Sequence, residues 1–478
     1  MKNSFEGEWR QIIFPMISAI LFAFCFPPYN VFPVAFIAFV PLLIATLTAK
    51  KSLHARGGGF IFGFLFYSWS LRWLWNIFPG FSILLWIAIA LFPALFAWGL
   101  FLLKQRFNRA IALSFAPFIW LGLEYFRSEC WFLKFAWLTP GFSQATNLPF
   151  LQFASVLGVY GISVLVLAVN CCICYLIIGK FALKKRWIPT GLILLFISLI
   201  YFWGGSQVQQ PSMGNFPVGA IQTEASSLRE NRELSLQLAG KARLIVWPEY
   251  SLMQYVNPDT ELFTKLADLA RESQAYLIVG AKEKIPGSDD NKFYNTALLL
   301  SPTGEKIGSY YKNNPVQFFD DGTPGNSFPV FDTELGKIGI AICYDMDFPY
   351  VFRNLVQNGA EILAVPTYDA MWWSELQHLQ HSAMAPARAI EYRRWVVRAA
   401  SSGISQVIDP FGRVKESLGV GLTGTISGEI EGRSSLTFYA SFGYLLPPFC
   451  LVLVVGYFVF ELIVEIRKRG IRKDASQF

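Results

Sequence analysis

The 478-residue chain is 54% hydrophobic and 17% aromatic, and only 15% of its residues are charged. Soluble proteins carry an apolar share of about 45–50%, so an ordinary soluble enzyme is excluded. The formal charge of +7 does not point to nucleic acid, because the basic excess sits in short flanks of apolar runs, where membrane anchoring is the simpler cause.

A bilayer core needs about 20 apolar residues per spanning helix. Eight candidate runs lie at roughly 11–27, 31–48, 58–78, 82–103, 110–126, 151–178, 187–203 and 439–466. The first has no small-residue cleavage site and passes through Phe26-Pro27-Pro28 straight into the next, so a retained helix is expected rather than a cleaved leader. Lys50, Lys51 and Arg56 follow the second run, and Lys104, Arg106 and Arg109 the fourth. Lys180, Lys184, Lys185 and Arg186 follow the sixth, and Arg467, Lys468, Arg469, Arg472 and Lys473 the eighth. The turns after the first and third runs carry no basic residue. The positive-inside rule then places both termini in the cytoplasm and the connection after the seventh run outside. The expected organisation is a seven-helix membrane part (1–203), a globular block on the periplasmic side (204–436), and an eighth helix with a basic tail (437–478).

Of the seven cysteines, Cys25, Cys171, Cys172, Cys174 and Cys450 lie in the apolar runs, Cys130 lies just after one, and only Cys343 is in the globular block. That distribution is not a disulfide framework. No ligand spacing suggests a metal, so neither metal nor cofactor is expected.

The globular block alternates strand and helix patterns. Strands are expected at 216–222, 243–248, 275–280, 296–301, 306–311, 337–343, 361–366, 395–401 and 405–410, with a hairpin turn at Pro302-Thr303-Gly304. Helices are expected at 260–274, 348–359 and 375–394. Strands apolar on both faces and separated by helices imply an α/β fold with a covered sheet. No internal repeat is visible in the block.

Three polar residues stand at strand ends in this block: Glu249 in LIVWPEY, Lys312 in GSYYKNN and Cys343 in IGIAICYD. Open α/β folds gather their sites at such an edge. There Cys343 can act as nucleophile, Glu249 as general base, and Lys312 as stabiliser of an oxyanion. Each residue also has a plainer reading: a buried small hydrophobe, a loop carboxylate, a surface charge. His378 and His381 offer an alternative base for the thiol, although two histidines on a polar helix face are more often surface groups.

The order of Glu249, Lys312 and Cys343 resembles the triad of the nitrilase (carbon–nitrogen hydrolase) superfamily, and the likeness continues through VPTYDAMWW, ARAIEYRR and ASSGISQVIDPFG. WLGLEYFRS (120–128), FAWLTPGFSQ (135–144) and LGVYGISVLVLAVN (157–170) narrow the resemblance to the bacterial apolipoprotein N-acyltransferase family. The resemblance implies eight transmembrane helices, an inserted αββα nitrilase-like domain and a bacterial inner-membrane location. It also implies a phospholipid acyl donor, with phosphatidylethanolamine expected, a Cys343 thioester, and a diacylglyceryl-apolipoprotein acceptor. A monomer is expected.

The chain departs from that family beside its lysine. Asn314 stands where a histidine is usual, and Asp320 where a second glutamate is usual, in KNNPVQFFDD; Asp320 is expected to orient Lys312, with Asp321 the alternative. SSLREN (226–231) stands where the family tends to have a tryptophan. Tyr344 and Asp345 are expected to shape the oxyanion pocket or hold Lys312 or the backbone. Trp372 and Trp373 are expected either as a lipid-facing lip or as core, since Trp favours the membrane interface. Glu124 and Arg127, charged within an apolar run, either pair with each other or let Arg127 meet a lipid phosphate. Two other functions remain open: a membrane-tethered amidase acting on small amides, and an inactive binding paralogue.

Overall fold

The computed structural model describes residues 9–178, 183–257, 260–287 and 292–475. Lys180 lies outside the described residues, as do the side chains of Lys184, Lys185, Arg186, Lys468, Arg469, Arg472 and Lys473.

All eight apolar runs contain helix: Arg10–Ala23, Ala35–Ala38 with Val40–Thr48, Ser52–Ser70, Phe81–Arg106, Arg109–Tyr125, Ala154–Ile178, Leu183–Val208 and Leu446–Ala475. Among the described residues four are long and apolar enough to cross a bilayer, namely Phe81–Arg106, Ala154–Ile178, Trp187–Val208 and Gly443–Arg467, while Arg10–Ala23 and Phe32–Thr48 are shorter. The Leu183–Val208 helix passes residue 203, so the expected boundary at 204 falls within it. Leu192, Leu195, Leu199 and Phe202 on this helix, and Val452, Val455, Leu462 and Ile466 on the last one, point their apolar side chains outward. A contiguous apolar exterior of this kind suits lipid and not water.

The globular block forms two six-stranded sheets. One uses β1 (Phe216–Gln222), β2 (Leu244–Val246), β3 (Tyr276–Lys284), β4 (Phe293–Leu300) and β5 (Lys306–Tyr311). The other uses β6 (Val330–Thr333), β7 (Gly336–Ile340), β8 (Ile362–Thr367), β9 (Trp395–Ala400), β10 (Ser405–Ile408) and β11 (Val414–Leu418), and β12 (Gly424–Ile430) returns to the edge of the first sheet. The strand orders are β12-β1-β2-β3-β4-β5 and β6-β7-β8-β9-β10-β11. In each, three consecutive strands run parallel, and antiparallel strands complete both ends. The block therefore repeats at the level of topology, which the sequence reading missed because the repeat leaves no shared residue pattern.

Val218, Val246 and Ile278 of one sheet meet Ile340, Ile362 and Val397 of the other in one dry layer. Helices Leu228–Gln237 and Glu261–Ser273 cover the outer face of the first sheet, and Pro349–Gln357, Glu375–Ser382 and Ala385–Tyr392 that of the second. The expected helix 375–394 is two helices, broken at Ala383-Met384 just ahead of Pro386, whose ring cannot continue the preceding turns. The helix Leu228–Gln237 and the strands β6, β11 and β12 escaped the sequence reading because they are short and mostly polar or half exposed.

Buried hydrogen bonds dock this domain onto the membrane helices. Trp73 Nε1 donates to Gln380 Oε1 (2.9 Å), Gln380 Nε2 to Ser70 O (2.9 Å), and Gln152 Nε2 to Phe411 O (2.9 Å). The helix Ala154–Ile178 is interrupted at Leu157 and Gly158, and Val159 N, freed there, donates to Glu391 Oε1 at 2.8 Å. Gly158 has φ +67° and ψ −178°, a region open essentially to glycine alone, and an added Cβ would meet the Tyr439 ring at 2.5 Å. Gly158→Ala is expected to destabilise the fold by about 1–3 kcal/mol, visible as a lower thermal unfolding midpoint of the detergent-solubilised protein.

Candidate active site

Cys343 follows β7 at a sharp turn. Its φ of +49° is left-handed, and it opens the 3-10 turn Cys343–Asp347. Such a strand-to-helix turn lifts one side chain above the sheet edge and leaves backbone N–H groups free beside it, a geometry suited to a nucleophile. Glu249 reaches the same edge from β2 through Trp247-Pro248, and Lys312 directly follows β5. All three are buried: Glu249 is 2% exposed, Lys312 1% and Cys343 4%.

Lys312 Nζ lies 2.7 Å from Glu249 Oε1 and 2.7 Å from Asp321 Oδ2. Asn295 Nδ2 donates to both carboxylates, at 2.6 Å to Glu249 Oε1 and 2.7 Å to Asp321 Oδ1. Tyr368 N donates to Glu249 Oε2 at 2.9 Å, and the Cys343 thiol faces Tyr368 O at 3.7 Å. The Tyr250 hydroxyl (2.8 Å) and Val316 N (2.7 Å) complete the shell of Asp321.

Burial opposes charge on Lys312, but Asp321 and Glu249 outweigh it and hold the ammonium well above its ordinary pKa. Burial, opposed by Lys312 and reinforced by Asp321, raises Glu249. Asp321 is held low, because Lys312 overrides its burial. Two carboxylates thus share one cation, and the one with the raised pKa is Glu249, which suits it to accept a proton. Burial and the Glu249 charge push the Cys343 thiol well up, and Lys312 pulls it back. A thiol in that setting stays protonated at rest and needs a base as it attacks.

Asp320 does not contact Lys312. It is exposed, and Asp321 occupies the position expected of it. The reason lies in the preceding loop, where Phe318 adopts φ +70° and Phe318 and Phe319 pack outward against Phe78, turning the next residue out and Asp321 in. Asp345 does not touch Lys312 either. It accepts from Ile342 N, Asn314 N and the Tyr310 hydroxyl, and so fixes the catalytic turn to the segment after Lys312. Asn314 fills its position by donating Nδ2 to Asp345 Oδ1 at 2.9 Å and accepting from the Tyr350 hydroxyl at 2.7 Å.

Cys343 and Tyr344 line a cavity of about 120 Å³. Its walls are largely apolar and come from both halves of the chain, with Trp73, Phe78 and Ile89 on one side and Val316, Phe319 and Trp373 on the other. The Tyr344 hydroxyl donates to Lys134 O at 2.6 Å. Trp373 is on the wall, whereas Trp372 is 54% exposed and stacks edge-on against it. Glu124 and Arg127 form no ion pair with each other. Glu124 accepts from Trp120 Nε1 (2.8 Å) and the Ser163 hydroxyl (2.8 Å), while Arg127 donates to the Tyr67 hydroxyl and to Trp137 O (3.1 Å). They border a separate small hollow, not the Cys343 cavity.

His378 and His381 are fully buried, contrary to their expected surface place. His381 lines the Cys343 cavity, and its Nδ1 lies 2.8 Å from Asp369 Oδ1. Sequence reasoning missed Asn295 and Tyr250, and it did not pair His381 with Asp369. Asn295 did leave a signal: an amide within the apolar strand FYNTALLL must find buried partners.

Asp321→Ala leaves Lys312 with Glu249 as its one carboxylate partner, removes one of the two acceptors of Asn295 Nδ2, and leaves the Tyr250 hydroxyl and Val316 N without their acceptor. It is expected to destabilise the protein by about 3–5 kcal/mol, whereas Asp320→Ala should stay within about 0.5 kcal/mol; thermal unfolding of the two variants side by side measures this.

Comparison with known proteins gives a consistent picture. A family model described as the apolipoprotein N-acyltransferase N-terminal domain matches residues 18–172, and the carbon-nitrogen hydrolase model matches residues 218–435. The chain is 29% identical to an apolipoprotein N-acyltransferase of Geobacter metallireducens, over 91% of this chain and 92% of that protein. It is 24% identical to one of Chlorobaculum tepidum, over 98% of this chain and all of that protein. Among solved structures, Saccharomyces cerevisiae Nit3 of the nitrilase superfamily aligns with 46% of this chain and 91% of its own, at 24% identity and a TM-score of 0.39. Two family models in sequence, one on the helical half and one on the α/β domain, together with relatives matched along nearly their whole length, establish that the chain belongs to the apolipoprotein N-acyltransferase family.

Proposed function

We propose that the protein N-acylates lipoproteins through a thioester on Cys343. Membership of the family carries the reaction class. One observation supports the chemistry: a buried Glu249–Lys312–Asp321 cluster stands beside Cys343, which lines an apolar cavity shared with the helical half of the chain.

In the first step Glu249 takes the thiol proton as sulfur attacks an ester carbonyl of a phospholipid, with phosphatidylethanolamine the proposed donor. Lys312 and backbone N–H groups of the Cys343 turn stabilise the oxyanion, and the lysophospholipid leaves with the proton from Glu249. In the second step the α-amine of a diacylglyceryl-cysteine attacks the thioester, and the acyl chain passes to nitrogen. Water competes with the amine, and the apolar walls of the cavity disfavour it. Trp373 lines the acyl chain's path, Trp372 lies at the lipid-facing lip, Tyr344 and Asp345 brace the turn, and Arg127 acts through Trp137 by holding its carbonyl.

For the membrane arrangement we propose eight spans in the bacterial inner membrane, with both termini cytoplasmic, the α/β domain periplasmic, and the chain a monomer. The helical runs and the basic residues that follow every second one support this reading. The membrane part extends through Val208, the α/β domain occupies Phe216–Ile430, and the last helix follows.

Purified protein incubated with acyl-labelled phosphatidylethanolamine is expected to form a hydroxylamine-labile adduct. Cys343→Ala should abolish it, and Glu249→Gln should slow it by about 10²-fold or more. Label persisting in Cys343→Ala would sink the mechanism.

A further inference from the structure

A second polar cluster flanks the same cavity and has no part in the steps assigned to Glu249 and Lys312. His381 Nδ1 lies 2.8 Å from Asp369 Oδ1, and Asp369 Oδ2 accepts from Arg398 Nη2 at 2.5 Å. Gln377 Nε2 adds a hydrogen bond to Asp369 Oδ1 at 3.2 Å. Asp369 accepts from Arg398 and Gln377, so it is the acceptor of the short contact too and the proton between the pair resides on Nδ1, from which Arg398 Nη2 also lies 3.1 Å. In the neutral ring the other nitrogen, Nε2, is then the acceptor.

What Nε2 faces is another acceptor. Asp347 Oδ1 lies 3.6 Å away, and neither atom has a hydrogen-bond partner, although His381 is 2% exposed and Asp347 0%. Asp347 is fixed by Trp137 Nε1 on its other oxygen, and Trp137 stacks on the imidazole at 5.5 Å between ring centroids. Two buried, immobilised acceptors without a donor lack a group carrying at least two N–H or O–H bonds. Asp347 closes the same 3-10 turn that Cys343 opens, and His381 shares the cavity with Cys343.

We propose that His381 and Asp347 form the binding and deprotonation site for the incoming primary amine, a role that rests on the N-acylation reading above. The amine arrives as an ammonium ion, because an α-amino group has a pKa of about 8. It donates to Nε2 and to Asp347 Oδ1. Nε2 takes one proton, giving an imidazolium held between Asp369 and Asp347, and the neutral amine attacks the thioester carbon. On collapse the C–S bond breaks, the second nitrogen-bound proton passes through Glu249 to the Cys343 sulfur, and the imidazolium returns its proton to solvent. One ammonium and one thioester thus give one amide, one thiol and one proton. Glu249 serves sulfur in both steps, and His381 serves only nitrogen.

The test separates the steps. Wild-type protein and His381→Gln are loaded with acyl-labelled phosphatidylethanolamine, then mixed with a synthetic diacylglyceryl-cysteinyl peptide across pH 6 to about 9. His381→Gln is expected to accumulate the thioester, but to transfer it about 10²-fold or more slowly at pH 7. Its transfer rate should rise about tenfold per pH unit until the amine is itself deprotonated, and the wild-type rate should rise less steeply. The groups facing His381 that set the wild-type profile are Asp369, Asp347, Arg398 and His378, with Arg388 acting on Asp347. A loaded His381→Gln thioester that transfers at the wild-type rate overturns the amine site and leaves the thioester mechanism standing. So does a slower transfer with the wild-type pH profile. Failure of the wild-type protein to form a thioester overturns both.

Discussion

The site depends on one constraint: a lysine buried to 1% exposure between two carboxylates at 2.7 Å. An isolated buried ammonium is costly, and so is an isolated buried carboxylate. Here the excess of one negative charge settles on Glu249, whose pKa burial has raised, while Asp321 stays ionised under Lys312 and three further donors. In the proposed mechanism this arrangement puts a cation where an oxyanion develops and a base beside the thiol. Neither proposed function needs water, which suits a cavity with largely apolar walls.

The two sheets explain how these groups meet. Glu249 leaves β2 and Lys312 leaves β5 of one sheet, while Cys343 leaves β7 and Tyr368 leaves β8 of the other. Face-to-face packing brings both sets of strand ends to a common edge. The topological repeat places a second buried carboxylate, Asp369, after β8, as Glu249 stands after β2. One edge thus carries two buried polar clusters of different composition, one built on lysine and one on histidine. The membrane helices complete the enclosure. Trp73 and Trp137 wall the cavity, Trp137 reaches into the catalytic turn by its bond to Asp347, and Glu391 reaches back to cap the broken helix at Val159.

Much of this was legible in the sequence. Long apolar runs declare helices through composition alone, and strand-end Glu249, Lys312 and Cys343 stand out against apolar neighbours. What sequence could not give was decided by loop geometry and long-range contact. Counting positions after Lys312 selects Asp320, but the left-handed Phe318 and the outward-packed Phe319 shift the inward carboxylate to Asp321. His378 and His381 look like a polar helix face, yet that face packs onto Asp369, twelve residues before His381, and onto Trp137, distant in the chain. Glu124 and Arg127 have the spacing of a helical pair, but each finds a closer partner on another element.

The central claim is that a thioester at Cys343 passes its acyl group to an amine in preference to water. A single-turnover experiment addresses it directly: the preloaded acyl-enzyme is mixed with a diacylglyceryl-cysteinyl peptide in phospholipid nanodiscs, and mass spectrometry counts N-acylated peptide against free fatty acid. Amide as the main product, with slow fatty-acid release when the peptide is omitted, is the expected result. Free fatty acid as the main product in the presence of the peptide would contradict transfer and make the protein a hydrolase.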